Sequence, residues 1–142
     1  MNRRLFIKFF HRSDGTAALE FAIIAPVFFL TVFSMIAYGI YLSASHSVQQ
    51  VSADAARAAV AGLSQPERQK LARDFIERSM IKHPFIDVRK FDIQVADDAT
   101  NPSQFTVTVR YDAADLPIWS LYSYAMPDKE IVGFSTIRLG GL

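Results

Sequence analysis

A single carboxylate stands at the start of the longest apolar stretch of this sequence. Glu20 follows Gly15 by five residues, and the next 22 residues, Phe21–Leu42, contain no Asp, Glu, Lys or Arg. A membrane disfavours carboxylates, and those that lie within a span are usually paired or functional. Glu20 could therefore pair with a cation. The simpler alternative is a carboxylate that lipid headgroups solvate at the membrane interface.

Basic residues precede Glu20. The leader up to Gly15 contains four basic residues and one acidic residue. A basic leader, a glycine, a glutamate five residues later and an apolar helix thus follow one another in that order. This order favours a functional carboxylate over one that is only solvated at the interface.

The apolar run predicts a transmembrane helix, because its 22 residues would extend about 33 Å and a hydrocarbon core is about 30 Å thick. We place the leader at residues 1–15, the transmembrane helix at 16–42 and a folded domain at 43–142. Pro26 is either a kink with a mechanical role or a proline that a membrane helix tolerates. A secretory signal cleaved near Ser45 is disfavoured, because the run exceeds the 7–15 residues usual in such signals.

Charge predicts the orientation of this helix. The basic residues of the leader precede the apolar run, and the first basic residue after it is Arg57. The positive-inside rule then puts the N-terminus in the cytoplasm and the domain outside it. The net charge is +1, and without residues 1–15 the remainder is acidic overall. The basic excess is therefore an orientation signal, and we expect no nucleic-acid partner.

Beyond the apolar run, the spacing of apolar residues changes from helical to strand-like. Residues 43–61 keep a helical, alanine-rich stripe, so the membrane helix continues as an amphipathic helix that Gly62 ends. The small residues of this stripe allow close approach to its own domain or to another subunit. A capping box at Ser64 starts a second helix that runs to about Ile81. The predicted buried positions of the two helices are Val48, Val51, Ala55, Ala58, Leu71, Phe75, Ile76 and Met80.

Three strands follow from alternating apolar residues near 91–95, 105–111 and 131–138. The predicted fold class is α+β, with the second helix packed on a small antiparallel sheet of about three strands. The aromatic segment Asp115–Asp128 is a docking patch, part of the core or a membrane-facing aromatic belt. Its candidate residues are Trp119, Tyr122 and Tyr124.

Catalytic chemistry has little support in the sequence. There is no cysteine, which excludes thiol catalysis and cysteine-based metal sites. The three histidines, His11, His46 and His83, lack ligand spacing, and no Ser/His/Asp order or phosphate-binding loop is present. We therefore expect no cofactor, no metal and no enzymatic activity.

The basic leader, Gly15, Glu20 and the apolar helix, in that order, resemble the class III signal of type IV prepilins. Within that group, the run Gly15–Ala22 and the following Ile23–Pro26 are similar to the signature of the TadE-like family. These are pseudopilins of the tight adherence (Tad) system, which builds Flp pili. The alanine-rich stretch Asp54–Ala59 also resembles the family, so the resemblance covers residues 12–61.

The resemblance implies that a prepilin peptidase cuts between Gly15 and Thr16 on the cytoplasmic side. A glycine offers a protease an unhindered, extended backbone. The cut would create an α-amino cation at Thr16, which Glu20 of the same copy or of a neighbouring copy could neutralise where the dielectric constant is low. Glu20 and Phe21 would then form the processing and assembly motif of a minor pseudopilin-like component of a Tad (Flp) pilus or secretion apparatus. The implied partners are the peptidase, other pilins and pseudopilins, Tad inner-membrane assembly proteins and the lipid bilayer.

The sequence leaves the type of subunit open. Major Flp pilins are shorter and usually have Tyr where this chain has Phe21, which argues for a minor subunit. TadF proteins share this layout, so the sequence does not choose between TadE and TadF, nor does it decide whether the chain enters the filament. A different function is an uncleaved bitopic membrane sensor or adaptor with an outer binding domain.

Overall fold

The computed structural model describes residues 13–80, 86–101, 103–120 and 126–140. The chain divides into two compact units, Met1–Ile36 and Ala37–Leu142. Two helices precede a three-stranded sheet, which confirms the predicted α+β fold. The elements are α1 (Ser13–Ala59), α2 (Gln65–Met80), β1 (Phe91–Asp97), β2 (Gln104–Asp112) and β3 (Glu130–Arg138), with short 3₁₀ helices at Val88–Lys90 and Pro117–Ser120.

Helix α1 is a continuous helix of 47 residues. Among the residues that the structure describes, it is the one helix whose length and composition would allow it to cross a membrane. It ends at Ala59, and the N–H of Gly62 donates to the Ala59 carbonyl at 3.0 Å. Gly62 is buried, and a Cβ there would lie 2.8 Å from the backbone nitrogen of Arg68. The close turn between α1 and α2 therefore requires glycine at this position.

Glu67 contacts the backbone just before α2, one residue earlier than predicted. The predicted capping box would join Glu67 to the N–H of Ser64, whereas in the structure the N–H of Leu63 donates to the Glu67 carboxylate at 2.9 Å. The predicted end near Ile81 agrees with the observed end at Met80. Ile76 is buried as predicted, whereas Leu71 and Phe75 are only half-buried. The side chain of Met80 lies outside the described residues.

The sheet is an antiparallel meander with the strand order β1-β2-β3. Ile93 pairs with Val109, and Tyr111 pairs with Ile131. One face of the sheet is apolar and buried, as the alternation predicted. Its buried residues are Phe91, Ile93, Val95, Phe105, Val107, Val109, Tyr111 and Ile131.

The second half of α1 packs against β3, which is one of the two alternatives for its alanine-rich stripe. A Cβ at Gly133 would lie 2.8 Å from the Val48 carbonyl oxygen and 3.1 Å from the Ser52 hydroxyl. The sequence analysis assigned the cover of the sheet to α2 alone. The structure adds α1, whose Val48, Val51 and Ala55 are buried, while Ala58 is half-buried.

Glutamine side chains from α2 occupy the outer edge of β1. The Gln69 amide accepts from the Val95 N–H at 2.7 Å and donates to the Ile93 carbonyl, as a neighbouring strand would. Gln65 donates to the Val95 carbonyl at 2.8 Å. These contacts satisfy backbone groups that an edge strand otherwise leaves exposed.

A buried arginine links α2 to the far end of the hairpin. Arg68 pairs with Asp97, donates from Nε to the Gly62 carbonyl at 3.2 Å and lies over the Phe105 ring, 5.1 Å from its centre. These contacts hold the guanidinium inside the domain. A buried charge needs such partners, because leaving it unpaired would be costly.

Candidate functional site

The predicted processing residues lie in the first turns of α1. The helix begins at Ser13, so the Gly15–Thr16 peptide bond lies in its first turn, and the side chains from Thr16 to Glu20 are exposed. The sequence analysis expected an extended backbone at this bond. A peptidase would have to unwind the helix end, where the first N–H groups have no partner within the helix. Gly15 lowers the cost of unwinding, because glycine is a poor helix former.

The fold itself does not require glycine at position 15. A Cβ built there would meet nothing within 4 Å, and among the described residues Gly140 is the one glycine with a positive φ. Gly62 and Gly133 differ from it, because a Cβ at either position would lie 2.8 Å from another atom. Neither packing nor backbone conformation therefore explains Gly15.

Thr16 and Glu20 lie one helical turn apart. Residues separated by four positions in a helix face the same side, with their Cβ atoms about 5–6 Å apart. The side chains of Thr16 and Glu20 therefore lie on the same side of the helix. Phe21 follows it and is 68% exposed, so its ring is available to lipid or to another helix.

Pro26 lies inside α1 and removes the backbone donor that would bond to the Ala22 carbonyl. Two hydroxyls farther along bond within the helix. Thr31 donates to the Val27 carbonyl at 2.8 Å, and Ser34 donates to the Leu30 carbonyl at 2.7 Å. These bonds pair both hydroxyls within the apolar stretch, as a hydrocarbon environment demands.

In the acidic turn between β1 and β2, the Asp98 carboxylate is hydrogen-bonded to other residues of the same turn. The Asp98 carboxylate accepts from the Thr100 hydroxyl at 2.6 Å, the Thr100 N–H at 2.7 Å and the Asn101 N–H at 3.1 Å. These hydrogen bonds lower the pKa of Asp98 below its ordinary value. The Thr100 hydroxyl contributes most, followed by the N–H groups of Thr100 and Asn101. This carboxylate shapes the turn of the hairpin.

The remaining candidate residues that the structure describes do not converge on a site. In the described segments, no group of three or more His, Asp or Glu side chains could hold a metal ion. His46 is exposed on α1, and Trp119 lies in the 3₁₀ helix before β3. His11, His83, Tyr122 and Tyr124 lie outside the described residues.

A family model described as TadE-like protein matches residues 15–57. The matched segment begins at Gly15, includes Glu20, Phe21 and Pro26, and ends two residues before the end of α1. Comparisons with curated proteins and with solved structures gave no match.

The TadE-like family implies a component associated with the Tad pilus, and such components are structural proteins. A single apolar N-terminal helix fits a single-pass membrane protein of that system. The family match confirms the resemblance that the N-terminal motif indicated: residues 15–57 of this chain are similar to the TadE-like family.

Proposed function

We propose that this chain is a minor pseudopilin that takes part in building or anchoring a Tad (Flp) pilus or secretion apparatus. A prepilin peptidase matures it by cutting between Gly15 and Thr16. The observation that carries the proposal is that the TadE-like match starts at Gly15, a glycine for which the fold has no packing requirement.

The position of Glu20 supports an assembly role for the mature N-terminus. After cleavage, Thr16 would carry an α-amino cation, and Glu20 lies one turn away on the same side of α1. In a bundle of such helices the cation and the carboxylate could come from the same subunit or from adjacent subunits. An ion pair between subunits would fix their axial register, because each charge needs its partner in a poorly solvated place.

The proposed location is the bacterial inner membrane, with the leader in the cytoplasm and residues 43–142 in the periplasm. The concentration of basic residues before the apolar run supports this orientation. The partners are the peptidase, which meets the leader, and other pilins, pseudopilins and Tad inner-membrane proteins, which meet the helix or the domain.

Intact-mass analysis tests the maturation step. The chain expressed with its prepilin peptidase should lose residues 1–15, and Gly15→Leu should keep the leader. Gly39→Leu is the matched control, because Gly39 lies in the same helix and also has open space around its Cα. We expect Gly39→Leu to be cut like the parent chain.

The same measurement discriminates the alternative function. A bitopic sensor or adaptor would keep its full length when the peptidase is present. An uncut parent chain, or cleavage near Ser45, would overturn the pseudopilin proposal. Equal cleavage of Gly15→Leu and Gly39→Leu would show that Gly15 does not direct the cut.

A further inference from the structure

The folded domain begins inside the apolar run. We expected the transmembrane helix to continue to residue 42, yet Ala37 is fully buried and Ala44 is 4% exposed. Ile40 and Tyr41 are half-buried against the same core. The two residues before Ala37 are more exposed to solvent, with Met35 71% and Ile36 48% exposed. Protein therefore covers one side of α1 from Ala37 onward.

A polar backbone group contacts the last turns of the apolar run. The Tyr41 hydroxyl donates to the Asp128 carbonyl at 3.4 Å. Asp128 is followed by Lys129 and Glu130, and all three residues are exposed. Exposed charges and irregular backbone are excluded from a hydrocarbon core, where no water satisfies them. The hydrocarbon must therefore end on the N-terminal side of Tyr41.

The remaining part of the helix is still long enough to cross a membrane. Residues 16–36 would extend about 32 Å, against about 30 Å for the hydrocarbon core. This register moves the outer boundary of the span from residue 42 to Ile36. The inner boundary stays at residue 16, so Glu20 lies about 6 Å inside the span, because it follows Thr16 by four residues.

Three residues at this end of the domain have the chemistry of the lipid headgroup layer. The indole of Trp119 is half-buried and donates to the Ala113 carbonyl at 2.6 Å. The Lys129 ammonium lies 5.6 Å from the centre of the Trp119 ring, and Lys129 adjoins the carbonyl that Tyr41 contacts. Tryptophan, tyrosine and lysine favour the interface, where a ring meets apolar surface and a polar tip meets water.

We propose that Tyr41, Trp119 and Lys129, here called the membrane seat, rest in the headgroup layer of the bilayer that α1 crosses, with residues 16–36 as the span. The proposal rests on α1 spanning a membrane and is independent of cleavage at Gly15. Acidic neighbours offset the basic ones at the seat, since Lys90 pairs with Asp115, and Asp128 and Glu130 flank Lys129. Zwitterionic headgroups therefore suffice.

The fluorescence of Trp119 measures the depth of the seat, because the chain has one tryptophan. The full chain is reconstituted in phosphatidylcholine vesicles that carry a nitroxide at the headgroup, at the glycerol end of the acyl chain or at the acyl terminus. We expect the first two positions to quench Trp119 several-fold more than the third. Strongest quenching from the acyl terminus would overturn the shorter span. Quenching by aqueous iodide, with none from any lipid-bound nitroxide, would show that the domain stands off the membrane.

Cysteine labelling tests the boundary independently, because the chain has no native cysteine. A membrane-impermeant maleimide is supplied on both sides of the vesicles. We expect it to label Leu42→Cys and to label Met35→Cys only after detergent is added. Both parent side chains are more than half exposed, so protein does not hide them. Leu63→Cys, at a side chain 91% exposed, is the positive control. Protection of Leu42→Cys, or labelling of Met35→Cys in the intact membrane, would refute the proposed register.

Discussion

At the scale of single residues, Glu20 is the side chain on which two interpretations differ. If lipid headgroups solvate it, glutamine at this position should serve as well. If Glu20 pairs with the amino group of Thr16 after cleavage, removing the charge leaves a cation unpaired in a poorly solvated place. Breaking a buried ion pair typically costs about 3–5 kcal/mol, whereas an exposed pair contributes at most about 1 kcal/mol.

We expect Glu20→Gln to be cut and inserted normally and yet fail to support pilus formation or partner association. Glu20→Asp, which keeps the carboxylate, should retain at least part of the assembly. A complementation assay for surface pili, with a blot for the processed form, measures both variants. Normal piliation with Glu20→Gln would instead favour the solvated carboxylate.

The candidate site was predictable from sequence because its parts are local. Gly15, Glu20 and Pro26 lie on one helix, so their order and spacing along the chain already give their order in space. The membrane seat was not predictable in the same way. Tyr41 and Lys129 are far apart in sequence. From the sequence alone, Trp119 could belong to the core, to a docking patch or to an aromatic belt. The contact of Tyr41 with Asp128 and that of Lys129 with the Trp119 ring bring them together.

At the scale of elements, the contact between α1 and β3 depends on one missing side chain. Gly133 lets the strand approach the backbone of the helix at Val48. A glycine within a strand usually weakens it, and alanine is the better residue where space allows. Here the nearest atom to an added Cβ belongs to the helix backbone, which can move only if α1 moves with it.

Gly133→Ala should therefore destabilise the domain by about 1–3 kcal/mol, the usual cost of overpacking a core. Gly39→Ala is the control, because a Cβ at Gly39 meets nothing within 4 Å. Denaturant unfolding in detergent, followed by Trp119 fluorescence, gives the free energy of unfolding of each variant. Equal stability of Gly133→Ala and the parent chain would mean that α1 and β3 separate without cost.

The elements themselves follow from local patterns, while their packing does not. Alternation along β1 and β2 predicted their buried residues, because successive side chains in a strand face opposite sides. No local sequence pattern indicates the role of Gly133, because the need for a glycine in a strand depends on the element that packs against it. Arg68 is similar: its burial depends on Asp97 and Phe105, which belong to a hairpin far along the chain.

At the scale of the whole molecule, charge predicts the orientation in the membrane. A reporter enzyme that is active only outside the cytoplasm should work when fused after Leu142 and fail when fused before Arg12. The physical reason is the cost of moving the basic leader across the membrane against the positive-inside bias. Activity measured in whole cells, normalised to the amount of each fusion, checks this. Activity of the N-terminal fusion alone would reverse the proposed orientation.

The glutamine contacts on β1 also limit how copies of this protein can associate. Strand-by-strand growth of an array needs two receptive edges on every sheet, one for each neighbour. Gln65 and Gln69 occupy the backbone groups of one edge, so a neighbouring strand could add there only by displacing them. Extended association of these domains through this edge is therefore disfavoured. In a filament that contains the domain, contacts between helices would not face this limit.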